Sequence, residues 1–256
     1  MRLKPFRELF TIMLFVSMIV IPLEIAMSHE HDTEYLSDAQ TVDSVYALVT
    51  AGKIDEAADF FKALGADQAV ITTWMNVQCD INNVKKDPRA SAQIGQVGVD
   101  YCLEKNYLVP AAMMLHNIAS FFMTDFDENV APADVPTILE AAKRQTILRR
   151  QIKQESPLMW ALWDEGLAHL ANKDAEQAIL FLSEGAELGC KMEDRDGEAW
   201  CNLFIGKTKV KLMPERKAEG IEQMNAAAKV IMEVGEDWEK ESLPEIFKPV
   251  GLEWKK

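Results

Sequence analysis

Few residues of this chain have the types and spacing that catalysis needs. His116 and His169 are the only histidines after residue 31, and neither lies in an H-E-x-x-H zinc motif. No G-x-S-x-G sequence marks a nucleophile turn. Met113, Met114 and Ile118 neighbour His116, which favours a packed histidine over a metal ligand. We therefore predict no catalytic residue, no cofactor and no enzyme activity.

Two acidic segments carry calcium-type ligands without completing a calcium loop. Asp125, Asp127 and Asn129 match its opening, but the sixth and twelfth positions lack the glycine and glutamate that such a loop requires. The segment Asp194–Glu198 is similarly incomplete. We interpret this second segment as a turn that caps the following helix.

The N-terminus has the three parts of a secretory signal. Arg2, Lys4 and Arg7 precede an apolar run over Thr11–Leu23, and small residues at Ala26–Ser28 follow. The apolar run is shorter than the roughly 20 residues that a membrane-spanning helix needs. We predict a signal peptide over residues 1–28 and export to the periplasm or another extracytoplasmic space. If it stays uncleaved, it anchors the chain with the body still outside.

Cleavage after Ser28 would create one weak metal-binding candidate. His29 and His31 would then lie at a free N-terminus. An amine, two backbone amides and the imidazole of His31 can surround Cu(II) in a plane. A solvated polar linker is the favoured interpretation, and no metal site is predicted.

The cysteines leave two interpretations open. Cys79, Cys102, Cys190 and Cys201 form an even set, and an oxidising compartment permits disulfides. The last two flank a short polar turn, but no C-x-x-C motif is present. Buried thiols that pack as small apolar residues are the alternative.

Charge excludes one class of partner. The chain has 27 basic and 41 acidic residues, for a net charge of −14. Nucleic acid and anionic lipid repel such a body, so membrane contact is expected only through an uncleaved signal. The acidic surface either attracts basic partners or keeps the protein soluble.

Helical periodicity runs through the body. Val42, Val45, Tyr46 and Val49 show the i, i+3, i+4, i+7 spacing of one helix face, and Gly52 ends the pattern. Similar segments follow to residue 235, and strand patterns are scarce. The fold class is therefore all-α. The predicted segments are a signal at 1–28, a polar linker at 29–40, N-terminal helical hairpins at 41–124, an acidic loop at 125–136, C-terminal helices at 137–235 and a capping segment at 236–256.

Some of these hairpins resemble tetratricopeptide repeats. Ile94–Tyr101 matches the first-helix pattern of that family, and Leu162–His169 and Asn202–Lys209 keep its glycine, as Gly166 and Gly206. The second-helix pattern, a small residue followed four positions later by a bulky one, is matched by Ala57 with Phe61, Ala178 with Leu182, and Gly220 with Met224.

The resemblance implies an irregular α-solenoid of antiparallel helix hairpins. Gly166 and Gly206 are 40 residues apart, whereas the family period is 34. An unrelated helical bundle is the alternative. In the family, first helices line a concave groove for a partner's peptide, and by resemblance six residues would line it here: Trp160, Trp163, Leu167, Trp200, Leu203 and Val210. The alternative for each tryptophan is the core.

Together these features predict an exported, tetratricopeptide-like scaffold or adaptor. It would bind a protein or peptide partner of the cell envelope in its groove, without catalysis. Two alternatives remain: a helical accessory subunit of an envelope complex, or a helical domain that binds a small ligand.

Overall fold

The computed structural model describes residues 39–123 and 130–254. Within them it contains eleven α-helices, two short 3-10 turns and no strand, which confirms the all-α prediction. No helix in this part is long and apolar enough to cross a membrane. The predicted signal, His29 with His31, and loop residues 125–129 lie outside the described residues.

The helices are α1 (Ala39–Thr50), α2 (Ile54–Lys62), α3 (Asp67–Asn83), α4 (Pro88–Glu104), α5 (Leu108–Phe122), α6 (Val135–Ile152), α7 (Glu155–Ala171), α8 (Ala175–Lys191), α9 (Arg195–Leu212), α10 (Lys217–Val234) and α11 (Asp237–Phe247).

Two helices begin outside the predicted helical segments. The first helix begins at Ala39, inside the predicted linker, and α6 begins at Val135, inside the predicted loop. Pro136 lies in the first turn of α6, where a missing backbone N–H costs nothing. A proline can therefore belong to the first turn of a helix, and segment limits read from it are accurate only to within a few residues.

Several helix-to-helix turns share one backbone conformation. Lys86, Lys153, Lys173 and Glu193 all have φ between 58° and 62°, which is the left-handed region. The last three are spaced twenty residues apart, so each helix and its turn occupy the same length of chain. This regularity indicates a repeat of about 40 residues per hairpin, longer than a tetratricopeptide repeat.

Aspartate follows three of these turn residues and caps the next helix. The Oδ1 atoms of Asp87, Asp174 and Asp194 accept hydrogen bonds from the backbone N–H three residues on, at 3.0, 3.2 and 2.9 Å. Each cap satisfies an N–H that the helix leaves unpaired. The capping role predicted for Asp194 is confirmed.

The described residues divide into two compact units between Lys105 and Asn106. In the N-terminal unit, α1 pairs with α2 and α3 pairs with α4. Phe61 stacks on Trp74 at 4.5 Å between ring centroids, and the Trp74 Nε1 donates to the Ile94 carbonyl. Helix α4, which carries the Ile94–Tyr101 pattern, pairs with α3.

In the C-terminal unit, each helix from α5 to α10 packs on the next, and α7 also contacts α5 and α9. This sequential stacking is the arrangement of an α-solenoid. A Cβ added at Gly166 would lie 2.5 Å from the Leu182 Cγ, and one at Gly206 would lie 2.7 Å from the Gly220 carbonyl oxygen. Both glycines therefore allow the close helix approach that the resemblance predicts.

No disulfide joins the four cysteines. Cys201 is fully buried and Cys190 is exposed, and both are free thiols. Burial raises the pKa of the Cys79 and Cys102 thiols to about 12. These thiols stay protonated and pack as small apolar groups.

Candidate helix-binding site of the C-terminal unit

The tryptophans predicted from the sequence meet in one cluster. Trp160 and Trp163 lie one turn apart on α7, and Trp200 and Phe204 lie one turn apart on α9. Ring centroids are separated by 6.0 Å for Trp160–Trp163, 6.4 Å for Trp163–Trp200 and 5.4 Å for Trp163–Phe204. The interplanar angles are 78° to 90°, the edge-to-face geometry that aromatic pairs favour. We call these four residues the aromatic face.

The six predicted groove residues differ in exposure. Trp160 is partly exposed. The other five are buried, with 0 to 9% of their surface exposed: Trp163, Leu167, Trp200, Leu203 and Val210. Contact between these residues and a partner stays a prediction. In the described state, Trp160 is the one that a partner reaches without rearrangement.

Helix α11 lies on the aromatic face. The Trp238 ring stacks on the Trp200 ring, with centroids 6.2 Å apart and planes inclined by 15°. The Trp200 Nε1 donates a buried hydrogen bond of 2.7 Å to the Glu239 Oε1. One aromatic side chain and one carboxylate of α11 thus engage the same tryptophan. The segment predicted as a cap covers part of the predicted groove.

Glu239 also organises the N-terminus of α11. Its side chain accepts a hydrogen bond from the Glu236 backbone N–H, and the Glu236 side chain accepts one from the Glu239 backbone N–H, which completes a capping box. The Glu239 carboxylate is 4% exposed. Its two oxygens therefore join the start of α11 to the indole of α9.

A second carboxyl group faces Glu239. Burial, a hydrogen bond with Glu239 and the charges of Glu239, Asp194 and Glu236 together raise the pKa of Asp196 to about 8. The raised pKa favours the protonated form of Asp196, for which the Glu239 carboxylate would be the acceptor. Glu239 accepts hydrogen bonds from the Trp200 indole and from the Glu236 backbone amide.

Polar groups are buried beside the aromatic face. His116 on α5 and Asp164 on α7 are bonded, with 2.7 Å between Nδ1 and Oδ2, and they are 8% and 1% exposed. Burial lowers the pKa of Arg149 on α6 to about 10, while the charge of Asp164 opposes that shift. The histidine is packed, as predicted, but it also joins two helices through an acid that the sequence reasoning missed. The sequence did contain a sign of this buried acid, because Asp164 directly follows Trp163 in a largely apolar helix.

His169 occupies a packing position too. Its ring stacks on the Phe181 ring at 5.4 Å, and burial lowers the pKa of the imidazole. His169 therefore has a packing role on α7. In residues 39–123 and 130–254, no three His, Cys, Asp or Glu side chains meet to hold a metal ion.

A separate open cleft of about 250 Å³ lies between α9 and α10. Asn202 and Gln223 line it and are joined by a hydrogen bond of 2.9 Å. None of its lining residues belongs to the aromatic face. Its lining combines these polar side chains with Ala199, Ala226, Ala227 and Val230.

Comparison with protein-family models and with characterised proteins finds no match for this chain. The resemblance to tetratricopeptide repeats therefore depends on the residues and the packing described above. The repeat glycines and the sequential helix packing support a helical repeat. The 40-residue hairpin departs from the family period of 34 residues.

Proposed function

We propose that this chain is an exported, tetratricopeptide-like adaptor that binds a helical segment of an envelope protein on its aromatic face, without catalysis. The packing of α11 on the aromatic face is the observation that supports the proposal. It places a tryptophan on Trp200 and a carboxylate on the Trp200 indole. A surface that accepts one amphipathic helix in this way has the chemistry to accept another. Aromatic residues in a partly covered cluster are also the usual energetic anchors of interfaces.

Export is testable apart from binding. A reporter enzyme that works only outside the cytoplasm, fused after residue 60, should be active because the basic head and apolar run direct translocation. Deletion of residues 11–23 is the matched control and should abolish the activity. Strong activity of a cytoplasm-only reporter in the same fusion, with none from the exported reporter, would refute export.

Trp160 is the sharpest probe of the binding face. A photoreactive phenylalanine analogue in place of Trp160 should cross-link the partner in the envelope of the source cells. The same analogue in place of Leu180, which is 56% exposed on α8, is the control and should not capture that partner. Equal capture from both positions, or capture from Leu180 alone, would place the binding surface elsewhere.

The partner identified in this way allows a quantitative prediction. Trp160→Ala should weaken binding by about 2 kcal/mol, because a tryptophan anchor of an interface typically contributes this much. Partial exposure of Trp160 means that the fold should persist, which circular dichroism and thermal unfolding check. Calorimetric titration of the partner measures the affinity. Unchanged affinity would remove Trp160 from the interface.

A further inference from the structure

We propose that α11 is a lid which occupies the partner's site, and that the partner is an amphipathic helix with the same chemistry as α11: an aromatic residue followed by a hydrogen-bond acceptor in an acidic first turn. This inference rests on the proposed function and names the kind of partner for the same face. The partner helix displaces α11 rather than binding beside it.

The contacts of α11 define what the partner must present. Trp238 supplies a flat ring to Trp200, and Glu239, the next residue, supplies the acceptor for the Trp200 Nε1. The Glu236 side chain caps the helix start. A competing helix therefore needs three features in its first turn: a capping acid, a large aromatic residue and an adjacent acceptor. The acidic composition of this turn argues against a basic partner on this face, despite the negative charge of the whole chain.

Helix α11 is too short to be stable without its packing contacts. It has eleven residues and contains Pro244 in its interior. Isolated helices of this length are marginal in water, and an interior proline removes a helix hydrogen bond. Its stability therefore depends on docking. Gly235 separates α11 from α10, so release of α11 leaves the α9–α10 hairpin intact.

The groups around Asp196 make the closed lid dependent on a proton. Asp196 on α9 is faced by Glu239 and Glu236 of the α11 N-terminus and by Asp194 of the preceding turn, all of them acids. The neighbouring cation, Arg195, is paired with Glu233 of α10 at 3.0 Å. Ionised Asp196 would therefore face Glu239 without a compensating charge.

The direction of the pH effect follows from this arrangement. Burial and the Glu239 hydrogen bond raise the pKa of Asp196 to about 8 in the closed state. Opening moves Glu236 and Glu239 away, so the pKa of Asp196 falls in the open state. The closed lid thus binds the proton more strongly, and its advantage is complete at low pH and lost as the pH rises through about 8. Mildly alkaline conditions favour the open state.

Competition between α11 and a synthetic copy of it tests the lid. The probe is a labelled peptide with the sequence of residues 235–254, and its binding to the full-length chain is followed by fluorescence anisotropy. Trp238→Ala in the protein weakens the lid without touching the aromatic face, so the peptide should bind about tenfold tighter or more, because the tethered competitor loses an anchor. Trp200→Phe keeps the stack but removes the indole donor, so it should reduce peptide binding to Trp238→Ala protein by about tenfold.

The pH dependence of lid closure is tested with two peptides. A peptide with Glu239→Gln does not repel ionised Asp196, so its binding to the wild-type chain should strengthen between pH 6 and 9. The unmodified peptide carries Glu239, so ionised Asp196 repels it as it repels α11. Rising pH then weakens the lid and the peptide alike, and the measured affinity should stay nearly constant. Asp196→Asn in the protein should abolish the difference between the two profiles. Glu241→Ala, at an exposed position of α11, is the control and should bind both peptides as the wild type does.

Opposite responses of the two tryptophan variants are the decisive result. If Trp238→Ala binds the peptide no more tightly than the wild type, α11 is a fixed part of the fold and the lid is overturned. If Trp238→Ala binds tightly but the two pH profiles coincide, the proton-dependent latch is overturned. Capture of an envelope partner through position 160 reports on the proposed function separately, because it does not depend on the synthetic peptide.

Discussion

Asp164→Ala should lower the free energy of unfolding by about 3 kcal/mol, the upper end of the usual cost of leaving a buried hydrogen-bonding group without its partner. Asp164 is 1% exposed and bonds His116 at 2.7 Å. Its charge also acts on Arg149, which is 2% exposed. The substitution removes the acceptor of the imidazole and leaves a buried guanidinium without the nearby negative charge.

Urea unfolding of the full-length chain, followed by circular dichroism, measures this effect. Glu187→Ala, at an exposed position of α8, is the matched acidic control and should change stability by no more than about 0.5 kcal/mol. If Asp164→Ala unfolds at the same urea concentration as Glu187→Ala, the bond between α5 and α7 contributes nothing and our account of this cluster is wrong.

Gly206→Ala should destabilise the protein by about 2–3 kcal/mol through overpacking. The added methyl would lie 2.7 Å from the Gly220 carbonyl oxygen and 2.9 Å from the Met224 backbone nitrogen. Backbone atoms cannot rotate away, so α9 and α10 must separate. This cost exceeds the roughly 1 kcal/mol that alanine gains over glycine inside a helix.

Gly166→Ala is the matched comparison, because it lies at the equivalent position one repeat earlier. Its nearest neighbour is the Leu182 side chain, at 2.5 Å, and a side chain can change rotamer. We expect a loss of about 1 kcal/mol or less once helix propensity is included. Thermal unfolding of both variants tests the order. A larger loss for Gly166→Ala would show that the helix pairs are not spaced as described.

The sequence determined the helices because their signals are local. Apolar spacing in steps of three and four residues, such as Val42, Val45 and Val49, requires only neighbouring residues to place a helix face. Capping by Asp194 and close approach at Gly166 also follow from residue type and spacing. A signal peptide is local too, and that prediction lies outside the described residues.

The resemblance to tetratricopeptide repeats grouped Trp160, Trp163 and Trp200, and the structure brings their rings together. Gly166 and Gly206 each face the paired helix, which fixes the rotation of α7 and α9. Contact of these tryptophans with a partner stays a prediction.

The tertiary structure alone decided what covers those faces. A helix pattern tells which side chains share a face, but not which distant segment packs on it. The Trp200–Glu239 bond joins residues 39 positions apart, and the His116–Asp164 bond joins residues 48 positions apart. Such contacts depend on the packing of whole helices and leave no periodic trace in the sequence. For this reason the sequence identified the aromatic residues, whereas the fold determined that α11 covers them and that the acid–histidine pair is buried beside them.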